Sequence, residues 1–287
     1  MFKLFKRKLK TINKDVLSKK IAEFNRCGVS SDSEIIISLT SFPQRMYELH
    51  YTIYSLLNQS VKPSKVILWL GKEQFPNLED DIPKQVLDLR NNGLTISWYS
   101  NIYSYTKLIP TLIQHPDNII VTADDDIYYE TDWLERLLKG HKEHPDCIIS
   151  HRAHRVKLEK NRIAPYKKWK KRIGPSKPSF LNFLTGVGGV LYPPKCFYKD
   201  ITNEELFTKL APKADDVWFW AMAVLNNTKT FIPKRNINTL TYVNPERERG
   251  ITNEITLFST NRVGGNDKQI SQVLEHYPQL IEKLFNS

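Results

Sequence analysis

The sequence predicts an α/β fold, a mostly parallel central sheet with helices on both faces. Three observations lead there. Short apolar runs bounded by turn residues recur at 34–40, 65–70, 94–99 and 118–123, and each has the length of a strand. Between them apolar residues fall at helical spacing, as in Met46, Leu49, Ile53, Leu56 and Leu57. Strands alternating with helices at this interval require right-handed crossovers, which make a parallel sheet. The fourth run ends in three successive acids, Asp124, Asp125 and Asp126, which no packed interior accepts unpaired. Those acids belong at a strand's end, in a cleft.

The chain has 287 residues, 40% hydrophobic and 11% aromatic, which suits a globular enzyme of one large domain or two small ones. Cys27, Cys147 and Cys196 are odd in number and widely spaced, so they offer neither a disulfide framework nor a zinc site. No apolar run approaches the ~18 residues of a bilayer span, and the basic start lacks the apolar core of a secretory signal. A reducing, cytoplasmic location is expected. The net charge of +11 is uneven: residues 1–20 carry eight Lys and Arg against Asp15, 152–180 carry eleven against Glu159, and the rest is net negative. That distribution excludes a whole-surface nucleic-acid footprint and points to two local anionic partners.

The elements follow in order. Phe2, Phe5, Leu9 and Ile12 recur at helical spacing among Lys3, Lys6, Arg7, Lys8, Lys10 and Lys14. Such a segment is either a helix lying on an anionic membrane surface or a solvated, frayed terminus. Residues 1–33 are thus read as a basic N-terminal segment and 34–287 as one domain. After the first strand comes the turn Ser41, Phe42, Pro43, then the Met46 helix, ending near Asn58. A weaker helix at 83–90 stops at Asn91, Asn92 and Gly93, and a short one at 105–114 is interrupted by Pro110. A helix over 133–142 and a strand over 147–150 come next. Residues 245–250 are read as a mobile polar loop, and the last helix starts at Gly264 and runs through Ile270 and Leu274.

Three adjacent carboxylates repel one another unless they share a cation, and hard oxygen donors suit Mg²⁺ or Mn²⁺. The bland alternative is a solvated acidic turn capping the helix that begins near Thr131. Ligands of parallel sheets bind at the carboxyl ends of the strands, which puts Thr40, Ser41 and Arg45 on the same rim as the acids, a combination suited to a nucleotide diphosphate. Neither GxGxxG nor GxxxxGK[ST] is present. His151 and His154, among arginines, read as polar surface or phosphate contacts and not as metal ligands. Tyr166 and Trp169, interleaved with lysines, could stack on bases, but the stretch is short. Gly186, Gly188 and Gly189 beside a short strand mark either a tight backbone approach to a ligand or an ordinary turn. Asp215 and Asp216 open an apolar helix; N-capping accounts for one of them, and the other is available for chemistry in the cleft.

With these residues together the chain resembles the GT-A-fold glycosyltransferases, near the family-2-like enzymes of bacterial surface polysaccharide synthesis such as capsule and lipopolysaccharide. The resemblance spans roughly residues 34–270: the first strand and turn to Arg45, the segment Tyr105 to Pro110, the "DXD" acids Asp124 to Asp126, the glycine loop at 186–192, and Asp215 and Asp216. The first turn departs, reading Leu39-Thr40-Ser41-Phe42-Pro43 where family 2 commonly has Pro-Thr-Tyr-Asn. The resemblance implies a nucleotide half over about 34–150 and an acceptor half over about 151–287. It also implies a nucleotide-sugar donor, a UDP-sugar by expectation, contacted by Thr40, Ser41, Arg45, Lys107, Asp124 and Asp125. Mn²⁺ or Mg²⁺ is expected at Asp126 and Asp124, a catalytic base at Asp216 with Asp215 as its alternative, and an acceptor side at Gly186, Gly188, Gly189 and Trp218. Which two of the three adjacent acids take the DXD roles stays open.

The expected reaction moves a sugar to a glycan or lipid-linked glycan acceptor, with inversion if attack is in line. No nucleic acid partner is expected, and attachment to the cytoplasmic face of an anionic membrane through residues 1–14 is. Two readings compete: a metal-dependent nucleotidyltransferase or hydrolase, which would use a second acid set, and a basic module binding nucleic acid or anionic lipid.

Overall fold

The computed structural model describes residues 10–160, 162–237, 240–248 and 265–286. Its main sheet has eight strands, in the order Leu94–Tyr99, Lys65–Gly71, Ile35–Thr40, Ile119–Thr122, Val190–Tyr192, Ile148–Ser150, Thr230–Ile232 and Ser176–Ser179. The first four are mutually parallel. Val190–Tyr192 is antiparallel to both its neighbours, so Ile148–Ser150 and Thr230–Ile232 again run with the first four. Ser176–Ser179 closes the sheet antiparallel.

Register sets the rim. Ser38 pairs with Thr122, and Val190 pairs with both Thr122 and Ser150. The carboxyl ends of three strands therefore open on the same edge as the loop entering a fourth. The sheet is apolar on both faces, as its Ile- and Val-rich strands require. On one side the helices Met46–Leu57 and Trp133–Glu143 bury Leu49, Ile53, Leu56, Trp133 and Leu137. On the other, Asp215–Leu225 buries every residue except Asp216, and Ile270, Val273, Leu280 and Leu284 from the last two helices lie behind it. A helix apolar all round must sit inside the molecule, so its acidic start is carried into the interior with it.

Two expectations are corrected here. The N-terminal spacing predicts one helix through Ile12, but Lys10–Thr11 is a strand, parallel to Thr241–Tyr242. The helix begins only at Lys14, because Asn13 Oδ1 accepts from Val16 N at 3.1 Å and caps it. Ile12 packs with Leu17, Tyr51 and Tyr54, Lys10 pairs with Glu130 at 3.0 Å, and Lys14 pairs with Glu48. The remainder of that segment, residues 1–9, lies outside the described residues. Likewise Pro245–Glu248 is a short helix and not a loop; the rest of the expected loop also lies outside them.

Candidate active site

All three acids after Ile119–Thr122 are paired, two of them with the same arginine. Asp125 is the deepest: its carboxylate accepts from Ser41 Oγ at 2.6 Å and from Arg45 Nη1, and its carbonyl accepts from Thr52 Oγ1 at 3.0 Å. Asp126 Oδ2 accepts from Arg45 Nη1 at 2.9 Å, and its carbonyl from Val243 N at 2.9 Å. Asp124 is the most exposed of the three, at 26%; its Oδ1 accepts from Lys107 Nζ at 3.0 Å and its N–H donates to Tyr129 OH at 2.8 Å. Burial opposes the charges on Arg45 and Lys107, yet the surrounding carboxylates outweigh it and hold both cations well above their ordinary values.

The second acid pair arrives from the far half of the chain. Lys107 Nζ reaches Asp215 Oδ2 at 3.1 Å, and Gly186 N donates to Asp216 Oδ1 at 3.0 Å. Neither acid caps its helix: Ala214 holds the N-cap position and no side chain closes it. Neither carboxylate is spent on capping, against the expectation that capping would occupy one: Asp215 faces Lys107 and Asp216 faces the Gly186 N–H. Burial, then the charge of Asp215, push the Asp216 carboxyl up to about 8.

Glycine is required in the facing loop by contact. A Cβ on Gly186 would lie 2.9 Å from Lys107 Nζ and 3.4 Å from Asp216 Oδ1, and one on Gly188 would lie 2.9 Å from Arg152 Cβ. Gly189 has φ +93°, and a Cβ there would overlap the Trp133 ring, whose Nε1 donates to Gly188 O at 2.9 Å. Contacts thus join this loop, Asp124, Asp216 and Lys107 into one group.

No protein-family profile and no curated protein matches the sequence, but solved structures match the fold. Residues 1–349 of S. aureus TarS superpose with TM-score 0.50 at 14% identity, covering 88% of this chain and 70% of that one. The mannosyltransferase PcManGT from Pyrobaculum calidifontis, in complex with GDP-Man and Mn²⁺, superposes with TM-score 0.50 at 12% identity, covering 94% and 76%. The fold is GT-A-like. At these identities the likeness is one of architecture. A CMP:2-keto-3-deoxy-manno-octonic acid synthetase complexed with CTP also appears, at TM-score 0.41, and decides nothing.

In this GT-A-like fold the remaining sequence expectations divide. Ser41, Arg45, Lys107, Asp124, Asp125, Asp126, Asp215, Asp216 and the glycine loop come together. Thr40 spends its hydroxyl proton on Trp69 O at 2.9 Å. Trp218, expected to face an acceptor, is enclosed in the core beside Phe207 and Tyr277, its Nε1 donating to Ile201 O at 3.0 Å. His151 is neither surface nor phosphate contact, being fully buried against Trp133 O at 3.0 Å and held at about 4 by that burial. His154, kept neutral at about 3 by burial and by Lys171 and Arg152, accepts from Arg172 N at 3.0 Å. Trp169 is buried with its Nε1 donating to Ala164 O at 2.7 Å, so it is no platform for bases.

Sequence reasoning singled out neither Tyr129, whose OH accepts from Asp124 N, nor Arg152, which lies against Gly188. Tyr129 is one of two adjacent tyrosines between Asp126 and Glu130, with nothing in the spacing to single it out, and Arg152 is one basic residue among eleven. The metal expectation can be tested on the donors present. Among the described residues no three His, Cys, Asp or Glu groups gather with metal-ligand spacing. Mg²⁺-type ions, however, commonly use one or two carboxylates and complete their shell with substrate phosphates. Even with Asp216 pushed up to about 8, four carboxylates, Asp124, Asp125, Asp126 and Asp215, stand against Arg45 and Lys107 and leave acid in excess, and Asp124 and Asp126 flank the more deeply held Asp125. The donor set fits such a cation.

Proposed function

We propose that this protein is a glycosyltransferase that moves a sugar from a nucleotide-sugar donor, a UDP-sugar by preference, to a hydroxyl of a glycan or lipid-linked glycan. One observation supports the reading: Lys107 pairs with both a strand-end acid and a helix-start acid, so two carboxylate sets far apart in the sequence of a GT-A-like fold meet at one ammonium.

The roles follow from charge and contact. Asp216 takes the acceptor hydroxyl's proton as attack proceeds. Its carboxylate is aimed by the Gly186 N–H, and its raised value makes it a stronger base than an exposed carboxylate once ionised. Lys107 and Arg45 hold the acids at fixed positions and offset negative charge near the leaving diphosphate. Asp124 and Asp126 would hold Mn²⁺ or Mg²⁺, which would supply Lewis-acid stabilisation to that diphosphate when bound. In-line attack opposite the leaving group inverts the anomeric centre. A role in bacterial surface polysaccharide synthesis, on the cytoplasmic face of the membrane, belongs to the same proposal. Attachment there rests on residues 1–9, since Lys10, Ile12 and Lys14 are engaged in the fold.

A thermal-shift screen of UDP-sugars and GDP-mannose with and without Mn²⁺ tests the reading, a ligand at a hundred times its Kd adding about 2.7 kcal/mol. Metal-dependent stabilisation followed by release of the nucleoside diphosphate is expected. Release of pyrophosphate from a nucleoside triphosphate plus a sugar phosphate would make the protein a nucleotidyltransferase instead. Loss of vesicle binding on deleting residues 1–9, sensitive to salt and to anionic lipid, is the outcome expected of the membrane contact.

A further inference from the structure

Beside the glycine loop stands a group of cations that the chemistry above leaves without a task. Arg152 is half-buried, and the loop lies directly on it, since a Cβ on Gly188 would come 2.9 Å from its Cβ. The Arg152 carbonyl accepts from Thr185 N at 3.0 Å and Thr185 Oγ1 at 3.1 Å, which fixes its backbone to the start of that loop. Burial, and next the charge of Arg172, lower the Arg152 guanidinium from its ordinary value. Among the described residues neither Arg152 nor Arg172 is within ion-pair distance of a carboxylate.

Two neighbours make the arrangement costlier. Lys171 Nζ sits 2.9 Å over the Tyr166 ring, and burial lowers it to about 8, with Asp267 acting weakly the other way. His154 lies among all three cations and stays neutral, with Arg172 N donating to its Nδ1. Like charges brought together, one of them partly desolvated, are unfavourable unless an anion joins them. Arginine forks suit the oxygens of a phosphate. The carboxylate whose charge bears on Arg152 is Asp216, the proposed base.

We infer that Arg152 and Arg172 form a subsite for a phosphate group carried by the acceptor, which seats the attacking hydroxyl beside Asp216. The inference rests on the glycosyltransferase reading for its purpose but not for its test. Exposed Lys167 and Lys170 add to the positive surface, so an acceptor bearing repeated phosphates gains further contacts. The same chemistry could come from the donor's own diphosphate, and the two sources separate experimentally.

Inorganic phosphate is titrated into protein saturated with UDP and Mn²⁺, and binding is followed by phosphorus NMR and thermal shift. Phosphate is expected to bind alongside UDP, and Arg172→Glu, at an exposed position, to weaken it at least tenfold with UDP affinity unchanged. Arg152→Lys is expected to weaken it as well, since a point charge replaces the fork. Displacement of phosphate by UDP would assign the arginines to the donor diphosphate and overturn the inference, as would phosphate binding indifferent to both substitutions. If UDP itself does not bind, the proposed function fails, and the phosphate titration of the UDP-free protein still decides whether the subsite exists.

Discussion

Lys107 and Asp124 form an ion pair at 3.0 Å, and the same ammonium reaches Asp215 at 3.1 Å. One buried cation therefore joins the two halves of the cleft. Removing one partner of a buried ion network costs about 3–5 kcal/mol because the remaining charges lose their compensation. Lys107→Met is expected to lose that much in urea unfolding near pH 7. A change below about 1 kcal/mol would mean the network contributes little.

The Asp216 carboxyl is pushed up to about 8 by burial and then by Asp215. A general base works ionised, so kcat/KM should rise with pH and level off above about 8. Asp216→Asn should cost about 10²-fold or more in turnover and remove that limb. The folded value lies above the unfolded one, so the stability this group contributes is complete at low pH and lost as pH rises through about 8. Unfolding of Asp216→Asn should lack that pH dependence. An active Asp216→Asn beside a dead Asp215→Asn would exchange the two roles.

Adjacent acids should respond differently. Asp125→Ala strands Ser41 Oγ and part of the Arg45 charge, and a loss of about 3 kcal/mol is expected. In Asp126→Ala, Arg45 keeps Asp125, so calorimetric Tm should change little while Mn²⁺-dependent donor binding disappears. Equal donor affinity in wild type and Asp126→Ala, with Mn²⁺ present, would remove Asp126 from the metal.

Gly189 combines a left-handed φ with contact to Trp133. Gly189→Ala is expected to lose about 2–4 kcal/mol, the backbone cost and the overpacking together. Gly174, where an added Cβ would meet no atom within 4 Å, serves as the control, and Gly174→Ala should be neutral in the same urea titration. Equal effects at both positions would show that the loop yields easily.

Much of the fold was legible because its signals are local. The runs at 34–40, 65–70, 94–99 and 118–123 record strand burial in neighbouring residues, and three adjacent acids at a strand's end record the cost of burying charge. Less could be read of the site, because partners chosen across the chain leave no trace in spacing. The repulsion among Asp124, Asp125 and Asp126 implied a shared cation, and folding supplied Arg45 and Lys107. Trp218 and His151 carry the residue types of a site, yet the sheet's packing buries both. Asn13 ended the N-terminal helix pattern by capping a later start. Amino-acid order by itself determined the four leading parallel strands, the helices between them and the rim on which the acids stand, since periodicity and solvation act between near neighbours. Only the tertiary structure decided which carboxylates face the cleft, which cation holds them and that Arg152 lies under the glycine loop, because those depend on Coulomb and packing terms between residues far apart in the chain.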